Sequence, residues 1–439
     1  MEDPFIDEPM KITPLDPWIL AKFNSNQPTL EREELTSWQL KKVNETIAIA
    51  RQKSSFYREH FQRMPESIHN LSELSLFPFT TPEDIRRNPL RFICVSQDSI
   101  DRVVTLDSSG TTGEPKRIYF TADDQELTID FFAVGMSTFT KPGDKVLIFL
   151  PGQTPGSVGD LLRLGLARFG RDPIPYGPIR DSQNALEVIN NKKADCLVGS
   201  PTQILGLAQR WQPNMHKPRC VLLSTDHLPS AIVDKLKSTW SCEVFDHYGA
   251  TEMGLGGGVE CEAHNGYHLR EADLFFEIVD PETGSPVREG DYGDVVVTTL
   301  TRVGMPLIRY RMGDRSRFIT NQCDCGTNLK NLEQIRGRFG GFVQIGNNTL
   351  KLADFDEVLF AIPGLLNFTI SVTIENNSEC VDIRAHMLTD VDSRTQIENA
   401  ISNLPSMASL KRTITCQHAP NEVGSILKRK IIDQRGQNA

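Results

Sequence analysis

Short apolar stretches separated by segments of helical pattern recur through the middle of the chain: Val146-Leu-Ile-Phe-Leu150, Cys196-Leu-Val198, Cys220-Val-Leu-Leu223 and Cys242-Glu-Val-Phe245. Alternation of this kind predicts an α/β layer built on a mostly parallel sheet. The flanking regions differ. Residues 20 to 62 carry apolar and charged residues at helical spacing, with Ser37 ahead of Trp38 and Leu40. Phe79-Thr-Thr-Pro-Glu-Asp84 reads as a capped helix start, with Pro82 early and two acids in the first turn. Phe131 to Phe139 predicts a helix. A β-rich stretch from Val103 enters a glycine- and hydroxyl-rich turn at 108–113. Leu274–Val279, the turn Asp280-Pro-Glu-Thr-Gly284 and Gly293–Thr299 read as a hairpin in a barrel-like subdomain. The pattern changes again near Gly337, giving expected domains at 1–336 and 337–439, the second a small α+β unit.

A chain of 439 residues has room for two or three domains. Its 47 basic and 57 acidic residues leave a net charge of −10, which argues against a general nucleic-acid binder. The N-terminal MEDPFIDEPM is acidic and lacks the basic and apolar regions of a secretory signal, and Val146–Leu150 is too short to cross a bilayer. Nine cysteines, an odd number in a large chain without a signal, predict reduced thiols in the cytoplasm.

The sharpest local signal is Asp107-Ser-Ser-Gly-Thr-Thr-Gly-Glu-Pro-Lys116. Two glycines permit a tight turn, hydroxyls supply donors, and Lys116 supplies positive charge for a polyphosphate. The spacing is not that of a Walker A loop. This string resembles the nucleotide loop of the adenylate-forming superfamily, which includes acyl-CoA synthetases, and the details resemble its phenylacetate-CoA ligase branch. The same likeness is carried by Ser55-Phe-Tyr-Arg58, Phe77–Asp84, Tyr248-Gly-Ala-Thr-Glu252, Thr298–Arg302 and Pro306-Leu-Ile-Arg-Tyr-Arg311, over roughly 55 to 433.

The resemblance implies a large N-terminal domain with parallel sheets and a mobile α+β C-terminal domain. It implies a reaction in two halves, ATP and a carboxylate giving acyl-AMP, then transfer to coenzyme A. Ser108, Ser109, Gly110, Thr111, Thr112, Gly113 and Lys116 would clamp the phosphates. Glu252 would be the Mg2+-linked acid, and Tyr248, Gly249, Ala250 and Thr251 would border the adenine and the adenylate. Asp314 would receive the ribose hydroxyls, Asp226 would border the adenine, and Arg338 would approach the phosphates near the hinge. Phe132, Met136, Tyr176 and Gly254 would shape an acyl pocket suited to an aryl or arylacetic acid, the glycines after Glu252 leaving room for a flat ring. Family members often form homodimers.

One position departs from the pattern. Where the family places a lysine after glycine in its last motif, this chain reads Gly424-Ser425, with Lys428 and Lys430 beyond. Serine cannot supply the charge that the attacking carboxylate meets. A nucleotide-binding homologue without full adenylation therefore stands beside the ligase reading, and transfer of the adenylate to a carrier-protein thiol or an amine is a separate alternative.

A separate cluster suggests metal. Cys261-Glu-Ala-His264 and Cys323-Asp-Cys325 offer two ligand pairs of the kind that close a structural Zn2+ site. His268 rivals His264 as fourth ligand, although its Gly-x-His placement resembles the family's segment near the acyl side. Unligated thiols and a disulfide are the other readings.

Overall fold

A computed structural model describes residues 11–106, 114–335, 337–338, 342–375, 378–390, 393–426 and 428–435. The chain divides into two compact units. The first comprises residues up to Thr140, Leu164–Phe169 and His247–Gln334; the second comprises Lys141–Arg163, Gly170–Asp246 and Ile335 onward.

In the first unit, the helical stretch expected over 20–62 is three helices, Leu15–Phe23, Arg32–Lys53 and Ser55–His60. The first stops where Asn24 takes a left-handed conformation, with φ of 53°. Thr81 and Asp84 form a reciprocal capping box on helix Pro82–Arg87, and Thr121 and Asp124 form another on helix Ala122–Met136. Strands Arg102–Leu106 and Lys116–Phe120 pair antiparallel. The expected hairpin is present: Leu274–Val279 pairs with Gly293–Thr299, which pairs with Tyr310–Ser316. Among the described residues the outer strands of this meander do not pair with each other, so it is an open sheet, not a barrel. A second antiparallel run joins the end of strand Glu243–Tyr248 to Gly258–Val259, Tyr267–Leu269, Asn331–Leu332 and Phe318–Ile319.

The second unit holds the parallel sheet. Asp172–Pro175, Lys145–Ile148, Cys196–Gly199, Cys220–Leu223 and the first part of Glu243–Tyr248 lie side by side in that order. Its central strands are buried at every residue, which explains their unbroken apolar sequence. Toward the C-terminus, Leu365–Glu375 and Ser378–Met387 form an antiparallel pair flanked by parallel Lys411–His418 and Ile432–Asp433. One apolar core runs through both parts, from Leu147, Phe149 and Trp240 to Phe355, Phe368 and Ile383. That shared core is why the C-terminal hundred residues group with the parallel sheet. Among the described residues no helix is long and apolar enough to cross a membrane.

Candidate active site

In the first unit, strand Lys116–Phe120 carries Lys116 inward, and the turn Thr251–Met253 carries Glu252 toward it. Their side chains form an ion pair with only a tenth of either exposed. Lys116 Nζ also donates to Tyr310 Oη at 3.0 Å, and Tyr310 Oη donates to Glu252 Oε1 at 3.2 Å. An isolated buried charge of either sign would be costly, so the Lys116 ammonium and the Glu252 carboxylate each offset the cost of the other. Arg302 fastens the two elements together, donating to the Glu252 carbonyl at 2.9 Å and to the Tyr119 carbonyl at 2.8 Å.

Tyr248 Oη donates to Asp314 Oδ2 at 3.0 Å, and the Tyr248 ring stacks on Tyr267. The glycines around this motif are fixed by close packing. A Cβ on Gly249 would lie 1.9 Å from the Leu255 carbonyl oxygen, and one on Gly256 would lie 2.3 Å from the Phe131 ring. The space beside Gly256 is therefore filled by Phe131, contrary to the expectation that the glycine run leaves it open. Gly254 is left-handed, and its carbonyl accepts from Thr128 at 2.8 Å. Phe132 and Met136 are buried on helix Ala122–Met136. His247, which sequence reasoning passed over, lies 6.1 Å from Phe132 and 6.4 Å from Phe131, ring to ring. Burial pushes its pKa down to about 4, so it is neutral at physiological pH.

The second unit holds the remaining candidates. Tyr176 packs edge-on against Phe149 and donates to Asn184 at 2.8 Å. Asp226 is engaged by protein on both oxygens. Oδ2 accepts from Arg429 Nε at 3.2 Å, and Oδ1 accepts from the His227 amide at 3.0 Å. Arg429 in turn donates to the buried Asp356 at 2.8 Å. This arrangement gives Asp226 an ion-pair role that its sequence position did not suggest. Ser425 sits at the start of helix Pro201–Arg210. Its amide donates to Thr202 Oγ1 at 3.0 Å, while its carbonyl accepts from Ser200 at 2.8 Å and Thr202 at 3.1 Å. Gly424, with φ of 74°, lets the backbone approach so closely that an added Cβ would lie 2.7 Å from the Thr202 carbonyl carbon. The loop Ser108–Gly113 lies outside the described residues, as does the side chain of Arg338.

The cysteine cluster is in the first unit. The ligand atoms of Cys261, His268, Cys323 and Cys325 all lie within 4.8 Å of one another, and all four residues are buried. Cys261 and Cys323 are 3.5 Å apart at sulfur, and Cys325 Sγ is 3.3 Å from His268 Nε2. The edge of a tetrahedral zinc–thiolate site is about 3.8 Å, so the donor set fits that ion. His264 corrects the sequence expectation: it turns back in a left-handed conformation, φ 49°, and its Nδ1 lies 3.3 Å from Glu260. His268 reaches the cysteines because its strand pairs with Asn331, a few residues beyond the Cys323–Cys325 turn. His264 precedes that strand and His268 lies on it, and distance along the chain from Cys261 does not rank the two as ligands.

Residues 37–301 match the family of AMP-binding enzymes. The chain belongs to that family. It is 27% identical over 375 residues to the phenylacetate-coenzyme A ligase of Thermus thermophilus, covering 82% of this chain and 83% of that one. It is also 27% identical over 337 residues to the Escherichia coli phenylacetate-coenzyme A ligase, covering 74% of each. Among solved structures, 2-hydroxyisobutyryl-CoA ligase in its postadenylation state, bound to 2-HIB-AMP, superposes with a TM-score of 0.80 at 19% identity, covering 93% of this chain and 91% of that one.

Proposed function

We propose that this protein is an AMP-forming acid–thiol ligase that activates an aryl or arylacetic acid with ATP and passes the acyl group to coenzyme A. In the first half-reaction a carboxylate oxygen attacks the α-phosphorus of ATP, giving acyl-AMP and pyrophosphate. In the second, the thiol of coenzyme A adds to the acyl carbon, AMP leaves, and one proton is released. The observation that carries the reading is the buried set Lys116, Glu252 and Tyr310, next to Tyr248 and Asp314, inside motifs that follow the family's order. Two relatives named as phenylacetate-coenzyme A ligases, each matching about three quarters or more of the chain, support the acid and the acceptor.

Each group has a task suited to its chemistry. Lys116 supplies a cation where phosphate charge builds, and Tyr310 holds that ammonium and the Glu252 carboxylate in register. Glu252 is the hard oxygen donor that would hold Mg2+, which when bound neutralises phosphate charge. Asp314, which accepts from Tyr248, would accept from the ribose hydroxyls. Phe132, Met136 and neutral His247 give an apolar, aromatic surface for the acid. Zn2+ on Cys261, His268, Cys323 and Cys325 would brace the fold without entering the reaction. A reducing cytoplasmic setting and a homodimer complete the proposal.

The test is carboxylate-dependent ATP–pyrophosphate exchange across aryl, arylacetic, heteroaryl, amino and short aliphatic acids, followed by coenzyme A addition and mass detection. Exchange with an aryl or arylacetic acid that proceeds to an acyl-CoA is the expected result. Exchange without acyl-CoA would transfer the second half-reaction to a carrier thiol or an amine. Absence of exchange with every acid would overturn the reading.

A further inference from the structure

At the start of strand Tyr310–Ser316, in the first unit, the sequence places an arginine where the backbone favours glycine. The Thr299 amide donates to the Leu307 carbonyl at 2.9 Å, and the ladder resumes with Tyr310 opposite Val297. Ile308 and Arg309 therefore face the single residue Thr298, which makes the approach to this strand a bulge. Arg309 takes the left-handed conformation there, with φ of 48°. That region is costly for any residue with a Cβ, and bulges that need it commonly use glycine. The Arg309 amide donates to Thr298 Oγ1 at 2.9 Å, and its carbonyl accepts from the Thr80 amide at 3.0 Å.

The side chain of the same residue offsets that cost. Its guanidinium is buried, with Nε donating to Glu277 Oε2 at 3.2 Å and Nη2 lying 3.1 Å from Glu277 Oε1. Nη1 donates to the carbonyls of Phe77 at 2.6 Å and Ser75 at 3.0 Å. The Phe79 ring covers the fork, its centre 4.2 Å from the guanidinium carbon. These contacts hold the strained backbone in place from one side, and their members lie outside the set formed by Lys116, Glu252 and Tyr310.

The bulge matters because side chains alternate along a strand. One residue more or fewer ahead of the ladder transfers every later side chain to the opposite face. With the bulge in place, Tyr310 and Asp314 are both buried. The first meets Lys116 and Glu252, and the second accepts from Tyr248. We propose that Arg309 is a positioning residue for adenylation: its left-handed backbone sets the register that brings Tyr310 to Lys116 and Asp314 to Tyr248. The assignment rests on the ligase reading, and it adds the residue on which the alignment of that site depends.

The experiment compares two double variants, Arg309→Gly with Glu277→Gln and Arg309→Val with Glu277→Gln. Both lack the guanidinium and the buried charge it neutralises. They differ in that glycine enters the left-handed region freely and a β-branched residue does not. Pyrophosphate exchange is measured and normalised to the folded fraction given by circular dichroism. Exchange should be at least about tenfold slower with valine than with glycine, the factor to which the left-handed penalty corresponds. KM for ATP should rise with it, because Asp314 leaves its place together with Tyr310. A residue that only braces the scaffold would lower the melting temperature and leave normalised exchange alike in the two variants, and that result overturns the proposal. If the valine chain does not fold, alanine takes its place, with the same ordering expected and the same refutation. If wild type shows no exchange with any acid, the ligase reading has failed by itself. Crystal structures of the two variants then decide the register: Tyr310 on Lys116 with glycine and turned away with valine supports it, and Tyr310 on Lys116 in both refutes it.

Discussion

Replacing Lys116 with methionine would leave Glu252 buried with its principal cation gone. Both side chains are only a tenth exposed, so solvent cannot take over. Breaking one side of a buried pair costs about 3–5 kcal/mol. Tyr310 still donates to Glu252, and that hydrogen bond offsets about 1 kcal/mol. Lys116→Met should therefore destabilise the first unit by roughly 2–4 kcal/mol. Adding Glu252→Gln removes the stranded charge while keeping an acceptor for Tyr310, and should return stability to within about 1 kcal/mol of wild type. Activity should behave differently. Both variants should lose pyrophosphate exchange by about a hundredfold or more, since each lacks charge aimed at the phosphates. Urea unfolding followed by hydrogen exchange in peptides spanning 116–120 and 248–253 reads the stability. If the single variant is no less stable than the double, the two charges are not coupled in a buried state and the argument fails.

Other outcomes follow from the remaining sites. Untagged protein purified without chelator should carry about one equivalent of zinc, the stoichiometry of a single closed site; His268→Asn should lose it and His264→Asn should keep it, and metal analysis giving the reverse would reinstate His264. Burial raises the Asp356 pKa to about 6 despite Arg429 beside it. Its folded value lies above its unfolded one, so its contribution to stability is present at low pH and lost as pH rises through about 6. Between pH 7 and pH 5 wild type should gain about 1 kcal/mol relative to Asp356→Asn, measured as paired denaturation curves, and parallel curves would contradict this. Ser425→Lys should increase pyrophosphate exchange by restoring an ammonium at the end of the Gly424 turn; no increase would mean that the turn does not deliver that side chain to the acid. Gly424→Ala should destabilise the second unit by about 1–2 kcal/mol from its left-handed backbone alone, and a neutral effect in thermal melts would show the seat on Thr202 to be dispensable.

Local signals carried the fold well. The parallel strands announced themselves because burial on both faces removes polar residues, and the capped helix start at Thr81 because four consecutive positions suffice to make it. The hairpin around Asp280–Gly284 was legible for the same reason. That the sheet stays open, against the barrel-like expectation, was not legible, because closure depends on pairing between strands far apart in sequence. Tyr310 shows the same limit: its motif was visible, yet its contact with Lys116 spans 194 positions and no spacing rule reaches it. The chain neighbours of Asp226 point to adenine, whereas its partner Arg429 lies 203 positions away. Proximity to Cys261 points to His264, and a left-handed turn at that residue sends its ring to Glu260.

The cluster of three thiols and an imidazole has a bearing on how the polypeptide is made. Cys261 and Cys323 are 62 positions apart, and the segment they bracket contains Arg302, Tyr310 and Asp314. An ion joining them would close that segment into a ring, restricting the unfolded chain by about 4 kcal/mol on loop-closure grounds. The strand that carries Tyr310 and Asp314 would then be more stable once the ion is captured. In a cell starved of zinc, newly made chain would lack that tie and be less stable than chain that had captured the ion.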